Sequence, residues 1–393
     1  MNCERKMKIC HIITRMIVGG AQENTLLTIK GHIEKGHEVV LVTGFSPGRE
    51  GELLKNVEMP SFSIVEIPEL VREVSPFKDL KALSRLQAYL EKEKFDVVHT
   101  HSSKAGIIGR IAARRAGVPV VVHTVHGQAF HAYEKFWKKK MYILAERIAA
   151  KYCDKIYAVA QAMIDQCVEA KVAPREKYMV VYSGMDTAAF SNAKRDMELR
   201  KSLGIPENAK VVATVARLFP MKGYEEMLPA AAQLVKKFPD LHFLPVGDGP
   251  MFEELQKQIA ELGMSDRFHF AGLVPPHKVC DYIAQADLLW HLSLHEGLPR
   301  AVVQALAVGI PAIGYKLDGT PEVILNGETG YVTAPQDVDA VVRHSSELLE
   351  NGDLRKEMGE KGKALVIERF AWRRMADILE EEFLALLKAK TGK

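Results

Sequence analysis

Short runs of β-branched and aliphatic residues alternate with helix-length amphipathic stretches from one end of this chain to the other. In the N-terminal half the apolar runs are KICHIIT, EVVLVT, DVVHTH, PVVVHT and KIYAVA; in the C-terminal half they are KVVATVA, LHFLPVG, FHFAGL, ADLLWHLS and IPAIGY. That alternation is the pattern of parallel βαβ units, and right-handed crossovers wind such units into an open sheet with its ligand loops at the strand C-termini. Helical spacing is predicted at 22–35 and 79–94 and again at 369–388, where Phe370, Trp372, Met375, Ile378, Leu379 and Phe383 form the apolar set.

The loop YSGMDTAAFSN separates the two strand series, so the chain is expected to divide into 1–185, 186–368 and a terminal helical segment, 369–393, packing back across the junction. A chain of 393 residues with 47% hydrophobic content is long enough for two cores. The fold class read from this is α/β, with two Rossmann-like domains whose sheets face each other across a cleft, where loops from both meet one ligand. There is neither a low-complexity tract nor a repeat at solenoid period.

Composition narrows the function by exclusion. A net charge of +3 lends no support to a nucleic-acid partner. The five cysteines, at 3, 10, 153, 167 and 280, show no CxxC or metal-finger spacing, which fits a reducing, cytoplasmic compartment. The first apolar run is broken by His11, Thr14 and Arg15 and reads as a buried strand rather than a leader. No apolar stretch approaches the roughly 20 residues that cross a bilayer, so a soluble or at most surface-bound protein is expected.

Several strand-to-helix turns carry candidate chemistry. Gly19 and Gly20 follow the first strand and let backbone approach an anion at a helix start, or simply make a tight turn. Arg217 and Lys222 follow KVVATVA in a turn with Pro220 and Gly223. Cations at a strand C-terminus neutralise a diphosphate as it departs, a role otherwise taken by a divalent metal; elsewhere they are solvated surface charges. Glu296 precedes Gly297 and Pro299, with Pro299 placed as the first residue of a helix, so its carboxylate can accept from sugar hydroxyls or merely face the helix dipole. VGDGP at 246–250 lacks the third glycine of a dinucleotide fingerprint.

The ordered series VGGAQ, ARLFPMKG, GDGP, EGLPRAVVQALA and GTPEVILNGETG resembles the retaining nucleotide-sugar glycosyltransferases of family 4, which have the GT-B architecture, over nearly the whole chain. The resemblance implies that Arg217 and Lys222 hold the donor diphosphate, that Gly19 and Gly20 meet it, that Glu296 contacts the donor sugar and that His126 reaches the transferred sugar. Gly249, Leu298, Pro299, Arg300 and Gln304 complete the donor side. Gln304 stands where the family pattern carries a second acid for the ribose hydroxyls, and an amide accepts there without charge. The implied activity moves a hexose or N-acetylhexosamine to a glycan or polyprenyl-linked acceptor in cell-surface polysaccharide synthesis, with retention, without metal or other cofactor, and without a dedicated protein base.

Other features bear on the acceptor. The DxD formed by Asp337 and Asp339 reads as a helix start rather than a metal site. Ser103 and Lys104, where DVVHTH hands over to a helix, are acceptor-phosphate candidates, although Ser102 or Ser103 can equally cap that helix. The region 104–155 is basic, through Arg110, Arg114, Arg115, Lys135, Lys138, Lys139, Lys140, Arg147 and Lys151, and Phe130, Tyr133, Phe136, Trp137 and Tyr142 interleave with it. Such a segment suits peripheral contact with an anionic inner membrane face, or is a solvated helix face. Two other functions fit parts of the pattern: a noncatalytic sugar-nucleotide-binding scaffold, and a GT-B nucleotide-sugar epimerase that would need no acceptor.

Overall fold

The computed structural model describes residues 5–45, 53, 60–130 and 134–392; Cys3 and Tyr133 lie outside them. The chain divides into two compact units, Met1–Met185 together with Trp372–Lys393, and Asp186–Ala371.

The first unit contains strands β1 (Lys8–Ile13), β2 (Glu38–Thr43), β3 (Ser63–Glu66), β4 (Val97–His101), β5 (Val120–Val125), β6 (Lys155–Ala158) and β7 (Tyr178–Val180). Its helices are α1 (Gly20–Glu34), α2 (Pro76–Glu93), α3 (Ser103–Arg115), α4 (Phe136–Ala149) and α5 (Gln161–Glu169). The strands form one parallel sheet in the order β3-β2-β1-β4-β5-β6-β7. Every residue of β4 is buried, as expected of a parallel strand covered on both faces. The chain winds outward from β1 through β2 to β3 and then returns to place β4 on the other side of β1. Loops therefore diverge at the β1/β4 boundary and open a crevice at the strand C-termini.

The second unit holds α6 (Thr187–Ser191), α7 (Met197–Ser202), β8 (Lys210–Val215), α8 (Tyr224–Lys237), β9 (Leu241–Val246), α9 (Phe252–Glu261), α10 (Val279–Ile283), β10 (Leu288–His291), α11 (Arg300–Val308), β11 (Ala312–Tyr315), α12 (Thr320–Val323), β12 (Gly330–Thr333), α13 (Val338–Glu350) and α14 (Gly352–Arg369). Its sheet runs β12-β11-β10-β8-β9, so the same reversal falls between β8 and β10. The segment FHFAGL contributes isolated bridges, Phe268 to Phe243 and Gly272 to Val246, rather than a strand. Trp290 on β10 is 1% exposed and donates its indole N–H to Ser345 Oγ at 2.9 Å, fixing α13 over the sheet.

The predicted helix at 369–388 forms as α15, which starts at Trp372, just after α14 ends at Arg369, runs to Thr391 and belongs to the first unit. Trp372 N–H donates to Met185 O at 3.1 Å, and the Met375 sulfur accepts from Gly184 N–H and Asn24 Nδ2. A Cβ on Gly31 would stand 2.3 Å from Ala376 Cβ, so α1 and α15 cross almost backbone to backbone. Buried Glu380 of α15 accepts from His37 Nε2 at 2.7 Å and from Lys35. Met375, Leu379, Phe383 and Leu387 fill the core against Ile9, Val97, Val122 and Tyr157. Cys10, Cys153, Cys167 and Cys280 are free and buried.

Candidate active site

In the second unit, the turn between β8 and α8 is left-handed at Met221 (φ 68) and Gly223 (φ 82). A Cβ at Gly223 would lie 2.2 Å from Leu292 O, so glycine there lets the turn rest directly on the end of β10. Leu294 N–H donates to Met221 O at 2.9 Å and Ser293 Oγ donates to it at 3.3 Å, zipping the two loops together. Lys222 Nζ consequently reaches Glu296 Oε1 at 2.5 Å and Ser293 Oγ at 3.4 Å, and His291 Nε2 lies 3.9 Å from the same carboxylate oxygen.

Burial alone would raise the Glu296 carboxyl. The charges of Lys222 and His291, with hydrogen bonds from Lys222 and Ser293, outweigh it and hold the group below the usual carboxylate range. Burial holds the His291 imidazole below its ordinary value despite Glu296. A third loop fixes the carboxylate's backbone: Asp318, left-handed at φ 48, accepts from Glu296 N–H at 2.8 Å and lies 3.3 Å from His295 Nδ1, while Gly319 N–H donates to Gly297 O at 3.1 Å. His291, Ser293 and Asp318 were not anticipated from sequence. The one available signal was an aspartate directly before the Gly-Thr-Pro turn.

A fourth loop, after β9, supports Arg217. Leu218 N–H donates to Asp248 O at 3.0 Å, and a Cβ at Gly249 would stand 2.4 Å from Leu218 O. Arg217 is exposed, its guanidinium 4.9 Å from the Phe219 ring centre, and among the described residues it makes no ion pair. Pro299 precedes α11 as its cap instead of being its first residue; Leu298 is buried, and Arg300 and Gln304 are partly buried on the helix. Two cations, a paired carboxylate and the N-termini of α8 and α11 therefore share the crevice at the β8/β10 reversal. Such a site takes an anion beside hydroxyl groups.

The first unit has its own crevice. Gly20 opens α1; Gly19 precedes it in extended backbone at φ 173, a conformation open to any residue. Ser102 does not cap α3: its Oγ hydrogen-bonds Thr14 Oγ1 at 2.8 Å and ties the ends of β4 and β1 together. Ser103 is the first residue of α3, and Lys104 is committed to Asp79 at 2.6 Å and to Glu73 O. His126 follows β5 and meets His101 Nδ1 through Nε2 at 3.0 Å. The basic region is smaller on the surface than its composition implies, because Arg110 is fully buried against Glu146 and Arg114 pairs with Asp154. Asp337 caps α13, accepting from Ala340 N–H at 2.9 Å.

Residues 18–189 match the sequence profile of Glycosyltransferase Family 4, and residues 196–365 that of Glycosyl transferases group 1. The chain is 31% identical over 341 residues to the Escherichia coli UDP-Gal:alpha-D-GlcNAc-diphosphoundecaprenol alpha-1,3-galactosyltransferase, covering 86% of each protein. It belongs to glycosyltransferase family 4. The Staphylococcus aureus capsular polysaccharide biosynthesis glycosyltransferase CapM is 24% identical, over 99% of this chain and all of that one. Anabaena HepE, solved in complex with UDP, superposes with a TM-score of 0.81 at 22% identity, over 96% of this chain and 100% of its own. That likeness establishes the GT-B fold for this family 4 enzyme.

Proposed function

We propose that this glycosyltransferase moves a hexose or N-acetylhexosamine from a nucleotide-diphosphate sugar, with retention and without a metal, to a glycan or polyprenyl-diphosphate-linked acceptor in cell-surface polysaccharide synthesis. The observation that carries the reading is the Lys222–Glu296 pair at the β8/β10 reversal, with Arg217 exposed beside it. On this reading Arg217, Lys222 and the N-termini of α8 and α11 bind the diphosphate, Gly249 lets backbone approach it, and Glu296 accepts from the sugar hydroxyls. Gln304 receives the ribose hydroxyls as a neutral acceptor, and His126 with the Gly19–Gly20 turn meets the transferred sugar and the diphosphate. The bond between the anomeric carbon and the diphosphate breaks, the acceptor oxygen bonds to that carbon on the same face, and the acceptor proton passes to the departing phosphate oxygen. The two cations stabilise the charge that grows on the leaving group. The E. coli and Anabaena proteins support a uridine diphosphate donor, and the first of them a polyprenyl-linked acceptor.

A lipid-linked acceptor requires access to a membrane face. No helix among the described residues is long and apolar enough to cross a bilayer. Helix α4 instead exposes Phe136, Trp137, Met141, Leu144 and Ile148, with Lys140 over the Phe136 ring and Lys138 beside Trp137. Apolar rings among lysines suit an anionic lipid surface.

The test is transfer from a panel of uridine-diphosphate sugars to a GlcNAc-diphospho-polyprenol analogue, with and without EDTA. Chelator-insensitive product of retained configuration is expected from one donor, and Lys222→Ala, which leaves Glu296 without its closest cation, should lower kcat by about 10²–10³-fold while the protein stays folded at a lowered melting temperature. Chelator-sensitive turnover, or an unaffected Lys222→Ala variant, would sink the metal-free phosphate clamp.

A further inference from the structure

Beneath α1 and α15, the first unit buries a set of histidines that the proposed transfer does not use. His11 on β1 stands directly opposite His99 on β4 in the parallel register, and His101 follows two residues on, with its side chain on the same face of the sheet. His32 comes from α1. All four are 0% exposed, and only His126 reaches the partly exposed edge.

Four of these rings join in line. His126 Nε2 is 3.0 Å from His101 Nδ1, His101 Nε2 is 3.0 Å from His11 Nδ1, and His11 Nε2 is 3.3 Å from His32 Nδ1. The ring centroids in those three pairs are 5.3, 5.3 and 5.5 Å apart, with planes inclined by 30°, 16° and 29°. Each separation is close to the N···N distance plus the two ring radii, so the facing nitrogens point at one another. That distinguishes the arrangement from a metal cage. Ring nitrogens of His11, His99 and His101 do come within 4.8 Å of one another, but rings that share an ion turn their nitrogens toward a common point. His99 stands outside the line, with its Nε2 on Thr124 Oγ1 at 2.7 Å.

Burial pushes the imidazoles of His11, His32 and His101 well below their ordinary value, so each is neutral and offers one N–H and one lone pair. In a chain of such rings every hydrogen bond must run in the same direction. The inner end decides which direction, because among the described residues nothing hydrogen-bonds the buried His32 Nε2. Buried backbone N–H groups are orphaned more rarely than carbonyl oxygens, and the same donor-first preference applied to the ring leaves a lone pair rather than an N–H unpaired. His32 therefore carries its hydrogen on Nδ1 and donates to His11. His11 donates from Nδ1 to His101, and His101 from Nδ1 to His126 Nε2. His126, accepting on Nε2, carries its own hydrogen on Nδ1.

We propose that His101, His11 and His32 are positioning residues: a buried imidazole wire that fixes the ring and tautomer of His126, so that it serves the transfer as an Nδ1–H hydrogen-bond donor. The proposal rests on the reading above that His126 meets the transferred sugar.

Two experiments separate the wire from that reading. Long-range ¹H–¹⁵N spectra of histidine-labelled wild-type protein without substrate should show His126 protonated on Nδ1; a hydrogen on Nε2 overturns the wire whatever the fate of any variant. In transfer kinetics, His126→Ala should lose about 10²-fold in kcat. His11→Phe, two rings away, should lose about 10-fold in kcat with donor KM within about two-fold. His99→Phe, equally buried but off the line, should lose similar thermal stability and keep its kcat. Equal kcat losses in the two Phe variants would reduce the wire to a packing role, and stoichiometric zinc in the purified protein would replace it with a metal site. An undiminished kcat in His126→Ala would overturn the sugar-contact reading, while the substrate-free spectrum still reports the wire.

Discussion

The first unit should be unusually sensitive to mild acid. Burial holds His11, His32, His99, His101 and His123 below the ordinary imidazole value, to about 3 for His11. In the unfolded chain each would titrate near 6.5. The folded values are depressed, so below pH 6.5 the unfolded state binds more protons; the stability present above that pH is lost as pH falls toward the folded values. A histidine that stays neutral in the fold forfeits up to about 1.4 kcal/mol per pH unit, which for His11 amounts to about 2 kcal/mol at pH 5. Five such groups give an upper limit of about 10 kcal/mol at pH 5, comparable to the whole stability of a domain, about 5–15 kcal/mol. Carboxylates contribute little in this window because they titrate lower.

Urea unfolding at pH 7.5, 6.5 and 5.5 reads the slope, and hydrogen exchange across β1 and β4 against β8 and β10 assigns it to a unit. We expect protection of β1 and β4 to collapse first, with an uptake approaching five protons. The second unit has fewer such groups, His242, His269 and His291. An unfolding midpoint that stays flat from pH 7.5 to 5.5, or loss that starts in β8 and β10, would refute the account of the buried histidines as neutral groups.

Gly223→Ala should lower stability by about 1–3 kcal/mol in urea melts and reduce donor kcat/KM, because the residue is left-handed and its Cβ would strike Leu292 O. Asp318→Ala removes the acceptor for Glu296 N–H from a left-handed position and should lower donor kcat/KM by about ten-fold, whereas Asp318→Asn, which keeps an acceptor and tolerates that backbone, should recover most of it in the same assay. Glu380→Ala strands the buried His37 Nε2 and takes one of two carboxylates from Lys35, which keeps Asp377 at 2.7 Å, and should destabilise the first unit by about 1–3 kcal/mol, releasing α15 to limited proteolysis.

What was legible in the sequence was local. The run KVVATVA, the Pro220 and Gly223 punctuation and the helix after them fix the Lys222 turn through three neighbouring signals, and β8 and α8 follow it. Strands β3, β7 and β12 escaped notice because they are edge strands only partly buried, whereas β6, β10 and β11, no more than four residues long themselves, are almost wholly buried and so declare themselves as apolar runs. FHFAGL has strand composition but makes only isolated bridges. Asp337 showed its capping role because a cap acts on residues three positions away. Lys104 was proposed for an acceptor phosphate; its pairing with Asp79, from a helix 25 residues earlier in sequence, is a tertiary fact no local pattern encodes. The histidine wire is the extreme case, since only the β1/β4 register brings His101 within hydrogen-bond reach of His11, 90 residues earlier in the sequence.

Lys222 meets Glu296 rather than open solvent, and on the proposed reading that pairing is useful to the reaction. A free lysine carries about 2 kcal/mol of rotamer entropy, and a partner carboxylate together with Ser293 Oγ removes much of that freedom before a donor arrives. The pair is neutral as a unit, so Lys222 does not bind every passing anion at full strength, and Arg217 supplies the exposed charge that draws the diphosphate in. When the bond to the anomeric carbon breaks, charge accumulates on the diphosphate and positive character on the sugar. Lys222 is then pulled toward the first and Glu296 stands beside the second. Both interactions strengthen as the reaction proceeds, and an interaction that strengthens in the transition state raises kcat, where equal strength in both states would only lower KM. Lys222→Ala should accordingly act chiefly on kcat, with a smaller effect on donor affinity, and the reverse pattern would place Lys222 in ground-state binding alone.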